Sequence, residues 1–186
     1  MSRALLPGLL GLAALVSACT PTLGPPPPGG MASRPPPPPP PPAGGAVSFN
    51  AAAFAWSQRP GANVIAGRVG YRQGPVRYSC AGSSVVLTPE TAWSARRMAA
   101  LYGSTDRAAL PADEVRARTA NAPPGDAGPY VKRTTCDDAD QFAFGGLADG
   151  AWYVITIVRP TAGSGGAVAL MRRVQVRGGR SVQVVL

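Results

Sequence analysis

The stretch from Cys136 to Val158, CDDADQFAFGGLADGAWYVITIV, limits most what this chain can become. Two short apolar runs, Phe142 to Phe144 and Trp152 to Val158, are joined through Gly145, Gly146 and Asp149-Gly150. Apolar and polar residues roughly alternate on either side of the turn residues, the period of paired strands with one buried face. Along the second run Trp152 and Val154 share one face, and Tyr153 and Ile155 share the other. Trp152 is expected inside, with the Tyr153 hydroxyl left wet at the rim. A central strand beside a helix could bury both sets.

The same period recurs in further segments. Asn63 to Tyr71, Val76 to Cys80 and Ser84 to Thr88 read as early strands, with Gly74-Pro75 and Ala81-Gly82 as turns and Pro89 as a stop. Phe54 and Trp56 precede them, as a first strand or as cover for a sheet edge. The period then changes. In TAWSARRMAALYG, Trp93, Arg97 and Leu101 recur at helical spacing, Thr91 is placed to cap the start and Gly103 to end it. Trp93 is expected to cover the same core as Trp152. Residues 104–129 carry Pro111, Pro123-Pro124 and Gly125 and read as loop, with one helical turn possible over Asp113 to Arg118. Strands resume at Tyr130 to Thr135, Gln141 to Phe144, Ala151 to Val158, Val168 to Val176 and Ser181 to Leu186. Gly178-Gly179 reads as the turn of a final hairpin. Many short strands separated by turn residues imply a β-sandwich, and no internal repeat is evident.

The N-terminus has a different character. Arg3 is followed by an apolar run from Ala4 to Val16, too short and too interrupted by Pro7 and glycines to span a bilayer; this is a secretory signal. Val16-Ser17-Ala18-Cys19 resembles a bacterial lipobox. That resemblance implies cleavage after residue 18 and a diacylglyceryl group on the Cys19 thiol, with additional acyl chains making the anchor stable. Thr20 is not the aspartate associated with inner-membrane retention, so the resemblance implies an outer-membrane anchor facing the periplasm. Residues 19–48 follow as a linker in which Pro35 to Pro42 is unbroken. Such a segment buries no apolar surface and lacks amide donors. As polyproline II it could hold a domain roughly 80 Å from the membrane; a docking ligand for an aromatic groove is the alternative. The folded domain is expected over residues 49–186.

Ile65-Ala66-Gly67-Arg68-Val69, Gly82-Ser83-Ser84-Val85-Val86-Leu87-Thr88-Pro89 and the run from Asp138 through Phe142-Ala143-Phe144 and Gly150-Ala151-Trp152-Tyr153-Val154 resemble the carboxypeptidase regulatory-like domain. The resemblance spans about Asn63 to Leu186. It implies a mainly β, Ig-like or prealbumin-like sandwich with a short inserted helix, and an accessory role without an active site. Gln141 stands where that family has the glycine of the first turn.

With Cys19 assigned to the lipid, Cys80 and Cys136 remain as an even pair. In an oxidising compartment they can bridge; two buried thiols are the alternative. The chain has no histidine, which removes the commonest general base and metal ligand. Two cysteines alone do not complete a zinc shell. Asp137, Asp138 and Asp140 match no twelve-residue calcium loop and lack its closing glutamate. No nucleophile–base pair stands out beside the single lysine, Lys132. No catalytic residue, metal or cofactor is therefore assigned. The net charge of +9 comes almost wholly from arginine and suits anionic surfaces; a solvated basic face is the plainer alternative. Arg172, Arg173, Arg177 and Arg180 near the last turn are the candidate contacts. Trp56, Trp93, Trp152, Tyr71, Tyr78 and Tyr102 could form a sugar-stacking platform or, more simply, core and rim. The expected partners are the membrane, through the lipid, and an envelope protein or a glycan of peptidoglycan or lipopolysaccharide; nucleic acid is not expected.

Only a thiol at residue 19 can take the lipid, so Cys19→Ser is expected to release the protein from membranes or leave an unprocessed precursor. Membrane fractionation with a labelled fatty acid checks this. Unchanged labelling of the variant would contradict the lipobox reading.

Overall fold

The computed structural model describes residues 47–186. Cys19, the signal segment and the proline tract lie outside the described residues. The described chain opens with a 3-10 turn over Ala51–Gln58, capped by the Asn50 side chain. Then come β1 (Asn63–Arg68), β2 (Arg72–Gln73), β3 (Val76–Ser79) and β4 (Ser84–Pro89). Helix α1 (Ala92–Tyr102), β5 (Arg107–Pro111) and α2 (Ala112–Arg118) follow. The remaining strands are β6 (Lys132–Thr135), β7 (Gln141–Leu147), β8 (Gly150–Pro160), β9 (Val168–Val176) and β10 (Ser181–Val185).

Two sheets form. The smaller runs β10-β1-β7. In the larger, β8 lies between β4 and β9, β6 pairs outside β4, β5 pairs outside β9, and the β2–β3 pair continues from the far end of β8. The main core fills the space between the sheets, with Ile65, Phe142, Phe144, Val184, Leu87, Trp152, Val154 and Val176 among its residues. A second core lies on the opposite face of the larger sheet, where Tyr153, Ala169 and Met171 meet Met98, Leu101 and Tyr102 of α1. The molecule is thus a β-sandwich with short helices covering one outer face.

Strand β8 is buried on both faces: Trp152 and Tyr153 are each 0 % exposed. Tyr153 is therefore not at the rim. Its hydroxyl donates to Glu90 Oε1 at 3.0 Å, which lets a buried tyrosine keep a polar partner away from bulk water. Trp93 is also buried, but not against Trp152. It packs edge-on with Phe49 and Phe54, and Phe54 stacks on Tyr130. Trp152 instead meets Trp56, which lies over Gly150, where a Cβ would come within 2.2 Å of the indole.

Helix α1 begins and ends where the sequence places its caps. Thr91 and Ser94 bond reciprocally, and Gly103 takes the left-handed conformation at φ 69°. The segment read as loop contains β5 and the seven-residue α2. Strand β5 escapes notice because it is five residues long and ends in proline; pairing with β9 makes it a strand.

The last two strands do not form a hairpin. Strand β10 pairs in parallel with β1, in the other sheet from β9. Gly178 and Gly179 both adopt φ 68°, a conformation open to glycine, and carry the chain across. Buried Asn63 fixes the crossing. Its amide donates to the Leu147 carbonyl and to Asp149 Oδ1, its oxygen accepts from the Arg180 N–H, and Asp149 accepts from the Gly178 N–H. Inward-facing valines at 182 and 184 satisfy the core from either arrangement, so alternation does not distinguish them.

Cys80 and Cys136 are joined in a disulfide, with Cα atoms 5.7 Å apart. Closing that loop is worth about 4 kcal/mol in the chain-entropy account. Beside it the left-handed residue is Asp140, at φ 61°, rather than Gln141. Aspartate tolerates this conformation better than most residues. Its side chain is 3 % exposed and accepts from the Ser79 hydroxyl at 2.6 Å, the Cys80 N–H at 2.8 Å and the Arg77 guanidinium at 2.7 Å. Burial alone would raise the Asp140 pKa, but the bonds from Ser79, Cys80 and Arg77 outweigh it and hold the carboxyl below its ordinary 3.8.

A lowered native pKa means that stability is present above the unfolded value and is lost as pH falls through the native one. Asp140→Asn keeps a residue suited to positive φ but removes the charge, and is expected to cost about 2 kcal/mol at pH 7. Urea unfolding at stepped pH should show the gap to wild type narrowing below about pH 4. A gap unchanged down to pH 2 would contradict the assignment.

Candidate binding surface

The aromatic rings do not supply a platform. Trp93, Trp152, Tyr78 and Tyr102 are buried, while Trp56 and Tyr71 are half-buried and pack against Trp152 and Tyr78. Burial pushes the Tyr102 phenol up to about 12. Trp93 donates from its indole to the Pro124 carbonyl at 2.9 Å, and Arg97 lies over its ring.

The four candidate arginines are not one patch. Neighbours on a strand face opposite ways, so Arg172 and Arg173 part company. Arg173 is held by Glu90 through two bonds, Nε to Oε1 at 2.8 Å and Nη2 to Oε2 at 2.6 Å. That fork lowers the Glu90 pKa, chiefly through the Arg173 hydrogen bond and against the effect of burial. Arg172 reaches across the open side of the sandwich and donates to the Val185 carbonyl at 2.7 Å. Arg177 and Arg180 flank the Gly178-Gly179 crossing and are exposed.

No catalytic arrangement is seen among the described residues. Asp140 is committed to the disulfide loop, and Asp137 accepts from the Ala139 and Gln141 N–H groups to hold the same turn. Cys80, Cys136 and Asp140 lie together, but the joined sulfurs offer no thiolate to a metal.

The outer face of the smaller sheet has a different chemistry. Outward positions there are Ala66 and Arg68 on β1, Gln141 and Ala143 on β7, and Gln183 and Val185 on β10. Register places Gln183, Ala66 and Ala143 in one row, and Val185, Arg68 and Gln141 in the next. The two alanines leave the middle low. Thr134, Thr135 and Asp137 line a further side, and the trough encloses about 500 Å³. The side chains of Arg68, Gln141 and Gln183 make no hydrogen bond or ion pair with other described residues. Glutamine amides offer donors and acceptors, arginine only donors and aspartate only acceptors. This mixture suits a ligand whose own groups both donate and accept. None of these residues is assigned a binding role from the sequence, where Asp137 is weighed only as a calcium ligand and Gln141 only as a turn residue. The available signal was the outward half of each alternation, which reads as ordinary solvated surface until register brings the strands together.

No protein-family model matches the chain, and no curated protein matches it in sequence. Among solved structures it is similar to a candidate carbohydrate-binding protein from Pseudomonas aeruginosa, with a TM-score of 0.56 and 21 % identity, over 74 % of this chain and 96 % of that one. At that identity the likeness concerns the fold.

Proposed function

We propose that this protein is a lipid-anchored component of the bacterial cell envelope whose non-catalytic, prealbumin-like sandwich binds a glycan. The observation that carries the reading is the trough on the β10-β1-β7 sheet, with its low alanine floor and unengaged Gln141, Gln183 and Arg68. Sugar hydroxyls each donate and accept, and paired amide, guanidinium and carboxylate groups match them without a stacking ring. The fold likeness to a candidate carbohydrate-binding protein supports the same class of ligand. Cys19 would anchor the chain at the outer membrane facing the periplasm, and the proline-rich linker would carry the domain toward peptidoglycan or lipopolysaccharide. A protein partner on the same face is the second reading, favoured by the exposed Val185, at 43 %, beside the trough.

The test is retention of the full-length protein on peptidoglycan and on lipopolysaccharide at low and high salt. Recognition by neutral hydrogen bonds is expected to survive high salt, because screening weakens mainly exposed charge pairs. Gln183→Ala and Gln141→Ala are each expected to weaken binding about fivefold, the loss of roughly 1 kcal/mol for a neutral hydrogen bond. Arg177→Gln should leave it unchanged. Binding that vanishes at high salt and ignores both glutamines would contradict the proposal.

A further inference from the structure

Strand β5 brings a second arginine to Arg172. In the β5–β9 register Arg107 lies directly opposite it. The Arg173 N–H donates to the Asp106 carbonyl at 2.6 Å, so residues 106 and 173 form a hydrogen-bonded pair. Arg107 and Arg172 are then the adjacent, non-hydrogen-bonded pair, whose side chains stand closest, with Cα atoms about 4.5 Å apart. Like charges directly opposite one another destabilise a sheet.

The two faces of this strand pair treat their charge differently. On one face Arg173 is neutralised by Glu90 and feels the charge of Asp106. On the other face neither Arg107 nor Arg172 has a carboxylate partner; the ion pairs among the described residues are Arg77–Asp140, Arg116–Asp113, Arg118–Glu114 and Arg173–Glu90. Both arginines line one cavity of about 230 Å³ at the open side of the sandwich, between β5 and β9 of one sheet and β10 of the other. Tyr71, Leu170, Val185 and Leu186 make much of the rest of its lining apolar.

We propose that this cavity is a binding site for a phosphate monoester, held between Arg107 and Arg172. Two guanidinium groups carry two positive charges and a planar fork of donors each, which matches the charge and the several acceptor oxygens of a phosphate monoester. A carboxylate would leave one charge uncompensated. The apolar lining accommodates the carbon skeleton that bears the phosphate. The cavity shares Val185 with the glycan trough on the outer face of the smaller sheet, but its two arginines are not part of that trough and the site does not depend on that reading.

Calorimetric titration of the full-length protein with inorganic phosphate, glucose 1-phosphate and unphosphorylated glucose tests the site. Both phosphates are expected to bind and glucose not to bind here. Arg107→Gln and Arg172→Gln are each expected to weaken phosphate binding tenfold or more, while Arg177→Gln leaves it unchanged. In the absence of phosphate, Arg107→Gln should melt no lower than wild type, because it relieves a like-charge pair; this keeps loss of binding distinct from loss of fold. Tighter binding of the sugar phosphate upholds the site and assigns the carrier to the apolar lining. Equal binding upholds it and assigns the phosphate alone. No binding of either phosphate by the folded protein, or equal binding by the Arg107→Gln and Arg172→Gln variants, would overturn the proposal.

Discussion

Strand β8 needs cover on both faces, and most of the architecture answers that need. Trp152, Val154 and Val158 point into the space between the sheets, while Tyr153 and Ile155 point toward α1. An uncovered Tyr153 face would leave a broad apolar patch in water, and opening a cavity at Trp152 would cost about 3–5 kcal/mol. Strands β4 and β9 close its two edges, β10-β1-β7 closes one face, and the segment between β4 and β6 closes the other. That segment is accordingly a structural layer, and Glu90 joins it to β8 and β9 by taking both the Tyr153 hydroxyl and the Arg173 fork.

The closures are held by polar nodes placed where the chain changes direction. Asn63 and Asp149 tie the β9–β10 crossing to the β7–β8 turn. Asp140 ties β3 to the turn before β7, beside the Cys80–Cys136 bond. Asn63 and Asp140 are buried polar groups with their partners supplied, the condition under which burial of such groups is tolerated, and Asp149 joins them from the surface. With rings and acids committed in this way, recognition falls to outward-facing positions. On the smaller sheet these are amides and an arginine over alanines; at the open side of the sandwich they are two arginines over an apolar lining.

Most strands were legible because alternation reports one buried face, and α1 because Thr91 and Gly103 mark its ends. The β-sandwich was legible for the same local reasons, and the cysteine pair from its even count in a chain read as exported. What was not legible depended on pairing across the chain. Gly178-Gly179 signals a change of direction but not the sheet that the chain enters afterward. Strand β5 has too short a period to stand out, and only β9 makes it a strand. Tyr153 looked amphipathic enough for the rim, since nothing local announces that Glu90 reaches its hydroxyl. The left-handed residue of the β7 turn is Asp140, one position before the Gln141 that stands in place of the family's glycine, and aspartate is read first as a charge and only then as a residue that tolerates positive φ. The trough and the Arg107–Arg172 pair belong to the same kind: each residue is ordinary alone, and register makes the site.

The central claim is that glycan recognition resides on the outer face of the smaller sheet. Amide chemical shifts of the isotope-labelled full-length protein, followed while soluble disaccharide-peptide fragments of peptidoglycan are titrated in, test it most directly. The account predicts shifts concentrated at Ala66, Arg68, Gln141, Ala143 and Gln183, with Arg177 and the helix α1 amides unmoved. Shifts centred on α1 or the Gly178-Gly179 crossing, with the sheet face silent, would contradict it.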